Sequence, residues 1–220
     1  ASARPADVGF GRFEGQWIFG RLQSSDDFVM PGDPAPDDPG RYLTGAVATF
    51  SPNGWGLEGL TLGAARVFYA LVPEDGIALG DYFLIFRTPD NDDLFSEPNT
   101  VGDDRRDQLV SLFARWVFPE SGFELWTEWG RNDHNENLRD YFLHAEHTQA
   151  YTLGLQKTLE PNDETLISLL AELTHLQGPA DAGVRQAESW YDHSFVHHGY
   201  TQRGQVIGAA IGPGSNSQFL

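Results

Sequence analysis

Two carboxylates, Glu124 and Glu128, lie four residues apart in the run Phe123-Glu124-Leu125-Trp126-Thr127-Glu128-Trp129-Gly130. A carboxylate pair is what sugar hydrolysis uses. The run alternates as a strand would, which puts both acids on one face. Four residues along a strand cover about 13 Å, wider than retaining or inverting hydrolysis tolerates. A turn over Pro119–Gly122 that sets Phe118 against Phe123 would bring Arg115 opposite Trp126 and diagonal to both acids. Arg115, Glu124 and Glu128 are therefore expected to form a structural ion-pair network on the polar face of a sheet, with a cation–π contact to Trp126. The chain carries no GxSxG, P-loop or GxGxxG motif and no cysteine, so no catalytic residue is assigned and no enzyme is expected.

The histidines and acids raise the question of metals. His144 and His147 stand three apart, and His193, His197 and His198 are close together, but no HExxH motif accompanies them. The acidic runs Asp90-Asn91-Asp92-Asp93 and Asp103-Asp104 match neither an EF-hand nor a calcium-binding repeat. Solvated loops account for both sets, and the expectation is no metal and no cofactor.

Period-two alternation bounded by turn residues predicts eight strands, at about 13–23, 42–50, 58–70, 108–118, 123–131, 149–159, 165–177 and 204–211. Short Gly/Pro/Asn connections at 51–56, 119–122 and 160–164 alternate with loops at about 24–41, 71–107, 132–148 and 178–203. Within those loops, Leu138–His147 reads as a short helical piece and 76–87 as a strand or a buried loop segment. On the predicted hairpins Trp116, Leu125, Trp129, Leu153 and Leu169 share an apolar face, while Ser111, Thr152 and Ser168 share a polar one. An antiparallel up-and-down transmembrane β-barrel has this dyad, with short turns at one end and long loops at the other. A soluble sandwich or lipocalin-like barrel with its apolar faces turned inward satisfies the alternation equally well.

Composition narrows the class. With 14 Lys and Arg against 32 Asp and Glu, the net charge of −18 disfavours nucleic acid as a partner. Roughly two thirds of the acids fall in the four long loops, which leaves the strands nearly neutral. The absence of cysteine removes disulfide and thiol chemistry. No run approaches the roughly 20 apolar residues of a membrane helix, and the first residues lack a signal-peptide core.

Near the C-terminus, Ser189-Trp190-Tyr191-Asp192-His193, His198-Gly199-Tyr200-Thr201, Arg203-Gly204-Gln205-Val206-Ile207-Gly208 and Gly212-Pro213-Gly214-Ser215-Asn216-Ser217-Gln218 together resemble the Wzi-type capsule-assembly family. Gly15–Gly20, Leu43–Ala46, Gly56–Gly63 and Trp126–Gly130 are more loosely similar to it. The resemblance implies a barrel of about eighteen strands in the bacterial outer membrane that holds capsular or other surface polysaccharide without cleaving it. On that footing the chain is expected to be an internal part of one barrel domain, with outer-membrane lipid as its second partner. Two other classes remain as alternatives, a glycan-processing hydrolase using Glu124 or Glu128 and a porin-like channel.

The loop 178–203 combines aromatics that could stack on sugar C–H faces with donors for hydroxyls and uronates. Trp190, Tyr191, His193, His198, Tyr200 and Arg203 are the expected polysaccharide contacts. Its charge is nearly balanced, Asp181, Glu188 and Asp192 against Arg185 and Arg203, so it would not repel an acidic capsule. The competing assignment puts Trp190 and Tyr191 in an interfacial aromatic girdle.

Overall fold

In a computed structural model of the chain, the structure describes residues 4–25, 40–86, 106–132, 148–162, 164–178, 190–191, 196, 198–212 and 214–220. The helical expectation at Leu138–His147, the acidic runs at 90–93 and 103–104, and His144, His147, His193 and His197 lie outside these residues. No helix among the described residues is long and apolar enough to cross a membrane.

Seven long strands form where the alternation predicted them: β2 (Gly11–Leu22), β3 (Arg41–Pro52), β4 (Leu60–Leu71), β5 (Arg106–Phe118), β6 (Phe123–Asn132), β7 (Gln149–Asn162) and β8 (Thr165–Leu176). With the short β1 (Ala6–Asp7) and β11 (Ser217–Phe219) at its edges, they make one nine-stranded sheet in the order β1-β2-β3-β4-β5-β6-β7-β8-β11, each pair antiparallel. β9 (Thr201–Gln202) and β10 (Gln205–Val206) form a small separate hairpin. The expected strand at 204–211 is thus cut down to the two residues of β10. Gly208 and Gly212 there press against the Tyr191 ring so closely that a Cβ on either would strike it, and the chain turns around that ring instead of extending. The 76–87 region is likewise no strand: Leu79–Phe86 is a kinked 3-10 segment.

Turn chemistry fixes the register. Pro119–Ser121 makes a single 3-10 turn closed by Gly122 at φ 60°, whose N–H donates to the Pro119 carbonyl at 3.2 Å. Proline presets the first φ and glycine takes the left-handed one at no steric cost. The Gly122 carbonyl then accepts from Thr158 N–H at 2.7 Å, locking the turn to the next hairpin. The resulting pairs are Phe118 with Phe123, Trp116 with Leu125 and Leu112 with Trp129, as the hairpin argument required.

Registers carried across the sheet sort side chains onto two faces. One carries Leu62, Leu112, Trp116, Leu125, Trp129, Leu153, Leu155, Leu169 and Leu173, and there Leu112, Leu153 and Leu169 are more than half exposed. Ser111, Thr152 and Ser168 occupy the other. Residues of that second face from every long strand, from Ile18 on β2 to Glu172 on β8, line a single cavity, so the sheet curls towards its more polar side.

Among the described residues, the buried core lies at the long-loop end. On the inner face, Leu22, Leu43 and Tyr69 pack on Val196, and Ala150 and Leu176 pack on Trp190 and Tyr191. On the outer face, Leu84 and Ile85 of the 3-10 segment cover Tyr42, Phe68 and Ala70.

Glycines set how closely neighbouring side chains pass. The Trp126 indole lies over Gly154, where a Cβ would overlap the ring, whereas Gly15 on β2 has open space. Gly154→Val should therefore lower stability by about 1–3 kcal/mol through overpacking. Gly15→Val should stay within about 0.5 kcal/mol of the parent. Urea-unfolding midpoints of the two variants check this, and equal midpoints would mean that the indole does not sit there.

Candidate functional site

Trp190, Tyr191, Val196 and residues 198–212 lie at the long-loop end of the sheet, where Trp190, Tyr191 and Val196 pack on its inner face. Gly130 and Ala150 leave the room: a Cβ on Gly130 would come 3.3 Å from the six-membered ring of Trp190, and Ala150 belongs to the same buried cluster. The Trp190 indole N–H is shared between the Gln149 and Gln177 carbonyls, both at 3.2 Å, at the upper ends of β7 and β8. Tyr191 meets Trp190 edge-on at 5.6 Å between centroids and stacks on Tyr200 at 5.9 Å, which in turn reaches Tyr69 at 5.5 Å. The Tyr191 hydroxyl accepts from Ala209 N–H at 2.9 Å.

Arg41, fully buried, ties this segment to the sheet. Its guanidinium donates to the Gly199 carbonyl at 2.5 Å, to Thr201 Oγ1 at 3.3 Å and to the Gln23 carbonyl at 3.3 Å. Arg203 completes the tie from the other side, its backbone N–H on the Gln23 carbonyl at 2.7 Å and its Nε on Gln23 Oε1 at 2.6 Å. Tyr191, His198 and Arg203 all have positive φ, between 51° and 68°. Side chains other than glycine adopt that region at a cost, which surrounding packing must hold in place.

Beneath this segment lies the cavity, of about 510 Å³, with Glu128, Glu172, Thr152, Thr174 and Ser111 among the polar groups in its lining and Trp190, Tyr191 and Tyr200 in its roof. Burial pushes the Tyr200 phenol up to about 12, helped by neighbouring Tyr191 and the negative charge of Glu128. Burial also raises Tyr191, Glu128 adds to the rise, and the Ala209 N–H opposes it. Both phenols are therefore neutral donors or acceptors at ordinary pH.

Below the cavity the inner face carries Arg115 and Glu124, joined by a two-pronged ion pair with Nε–Oε1 at 2.6 Å and Nη2–Oε2 at 3.0 Å. The expected three-member network is corrected in two respects. Glu128 lines the cavity, while Arg115 pairs with Glu124. Trp126 stands opposite Arg115 in register, but its indole crosses Gly154 and donates to Glu172 Oε2 at 2.9 Å. Gly154 is what allows an indole on β6 to reach a carboxylate on β8.

The six expected polysaccharide contacts do not form one exposed patch. Trp190, Tyr191 and His198 are buried, Tyr200 is half-buried, Arg203 is exposed, and His193 lies outside the described residues. Trp190 and Tyr191 sit on the inner face, not the outer one that a lipid-facing girdle would need. Arg41, Tyr69 and Glu172 were not anticipated as site residues. Glu172 was visible as a charged position in an alternating strand, whereas Arg41 stood just before a predicted strand with no pattern to mark it. No group of three or more potential metal ligands occurs among the described residues. Compared with known proteins, the chain matches no family model, no curated protein and no solved structure.

The Tyr200 phenol gives the site a pH signature. A tyrosine of ordinary pKa about 10 when unfolded and about 12 when folded keeps its proton better in the native state. The associated stability is complete below pH 10 and is lost as pH climbs towards 12. A difference titration at 295 nm between the parent and Tyr200→Phe should show one phenol ionising late, together with loss of stability that the variant partly avoids. A missing phenol that titrates near pH 10 would contradict its burial.

Proposed function

We propose that the chain forms part of the wall of a bacterial outer-membrane β-barrel that engages capsular or related surface polysaccharide without cleaving it. The outer face carries this reading. From the Arg66–Val110–Arg131 row to the Phe118–Phe123 row the sheet presents eight residue steps, about 26 Å along the strand. Its middle rows are mainly aliphatic, with Leu112, Ala114, Leu125, Leu153, Leu155 and Leu173. Aromatic side chains stand towards both ends of this stretch: Trp116 shares the row of Leu125 and Leu155, with Phe118 and Phe123 beyond it at the turn end, and Trp129 and Tyr151 share the row of Leu112 at the loop end. The Trp116 indole donates to the Glu58 carbonyl at 3.2 Å and Trp129 to Gln149 Oε1 at 2.9 Å. An apolar face of about this height with aromatics towards both ends is what a lipid bilayer selects. In water the same surface would be an unusually large exposed apolar patch.

The reconstituted chain should place Leu153 and Leu169 in lipid and Thr152 and Ser168 away from it. Single cysteines at these four positions, labelled with bimane and quenched by a lipid-borne nitroxide, read this out, since the chain has no native cysteine. Quenching confined to positions 152 and 168 would reverse the faces, and no quenching at any of the four would end the membrane reading.

The polysaccharide part is supported by the C-terminal motifs resembling the capsule-assembly family, and by the exposed Arg203 side chain at the long-loop end. Arg203 is the exposed cation among the proposed contacts. Arg203→Ala in the full-length protein keeps the backbone tie to Gln23 and should insert normally while reducing capsule retention on cells several-fold. Unchanged retention would remove Arg203 from the contact surface.

A further inference from the structure

We infer that the 3-10 segment Leu79–Phe86 is an interfacial foot that lies at the boundary between lipid headgroups and acyl chains on the long-loop side of the sheet. This rests on the membrane reading above and assigns a lipid-contacting role to a segment outside the strands.

The segment has two unlike sides. Towards the sheet, Leu84 and Ile85 are buried, and two backbone carbonyls accept from side chains on the outer face. The Tyr82 carbonyl takes the Trp17 indole N–H at 3.0 Å and the Thr44 hydroxyl at 2.9 Å, and the Ile85 carbonyl takes Arg66 Nη1 at 3.0 Å. These donors sit on β2, β3 and β4, and Trp17 and Arg66 share the row just above the aliphatic band. Polar groups facing hydrocarbon need a partner inside the protein, since lipid offers none. The segment supplies such partners, completing for Arg66 a set in which Nε and Nη2 already donate to Gln108 Oε1 at 3.2 and 3.0 Å.

Away from the sheet, the segment shows Leu79, Phe83 and Phe86, which are 78%, 49% and 77% exposed. Three large apolar side chains projecting from eight residues are poorly placed in water. They are well placed beside the apolar band, which the segment extends upward over β2–β4. Phe83 joins the aromatic group below it, 6.0 Å from Trp17 between centroids. The chain enters from the polar side: Glu74 and Asp75 precede the segment and are exposed, and Asp81 Oδ2 accepts Ala78 N–H at 2.7 Å at its start. Polar entry, capped first turn, apolar far side and satisfied carbonyls on the near side make the profile of an element lying along an interface.

The test uses spin labels on Leu79→Cys and Phe86→Cys, with Leu153→Cys as the mid-wall reference and Asp75→Cys as the aqueous one. The chain is reconstituted in phosphatidylcholine–phosphatidylglycerol vesicles. Collision with oxygen relative to a water-soluble nickel chelate should be several-fold higher at 79 and 86 than at 75, and below its value at 153. Labels at 79 and 86 that match 75 while 153 reads as lipid would overturn this inference and leave the membrane reading intact. A label at 153 that matches 75 would overturn both.

Discussion

A sheet that curls with its apolar residues on the outside has given up the usual way of making a core. Period-two alternation leaves no choice in this, because each strand that turns Leu112, Leu153 or Leu173 outward must turn Ser111, Thr152 or Thr174 inward. The inner face then cannot hold itself together by hydrophobic burial along its length. Burial has to come from elsewhere, and among the described residues it is concentrated at the long-loop end, where Trp190, Tyr191 and Val196 pack inside and the 3-10 segment packs outside. Each fully buried aliphatic there, such as Leu176 or Val196, stabilises the fold by about 1.5–3 kcal/mol. The rest of the sheet relies on its backbone ladder and on cross-strand pairs.

That concentration explains why so much polar structure is also buried there. Arg41 holds carbonyls from segments 158 and 18 residues away in sequence, and the hydroxyl of Tyr69 donates to the buried Asp107 carboxylate. A returning segment with strained backbone at Tyr191, His198 and Arg203 needs such anchors, because packing of small residues alone does not select one conformation. Gly208 and Gly212 serve the same end by letting the chain wrap a tyrosine ring that any larger residue would push aside.

Much of the sheet was legible in the sequence, because alternation, turn residues and register are local or nearly so. Pro119–Gly122 fixed one hairpin, and Phe118 against Phe123 then fixed the partners of Trp116 and Leu112. What resisted reading was long-range and depended on single side chains crossing strands. The Gln205–Ile211 run has the apolar content of a strand, but its small residues match a ring contributed from outside the run. Glu128 and Glu124 are equivalent by spacing, yet one lines the cavity and the other pairs with Arg115. No local pattern encodes that difference. Trp126 likewise passes Arg115 for Glu172 because Gly154 opens the way.

The position of the charges bears on where a polysaccharide would be held. Glu128 and Glu172 give the cavity a negative lining, and in a partly desolvated space a uronate drawn between them would meet repulsion with little screening. Neutral Tyr191 and Tyr200 do not offset that charge. The guanidinium of Arg203 lies on the other side of the roof, exposed and held by Gln23. An acidic glycan engaged at this end would therefore be favoured over the roof and its rim, and disfavoured within the cavity. On the proposed reading the buried aromatics act as foundation for that surface: they fix the backbone from which Arg203 projects, and the sugar does not touch them.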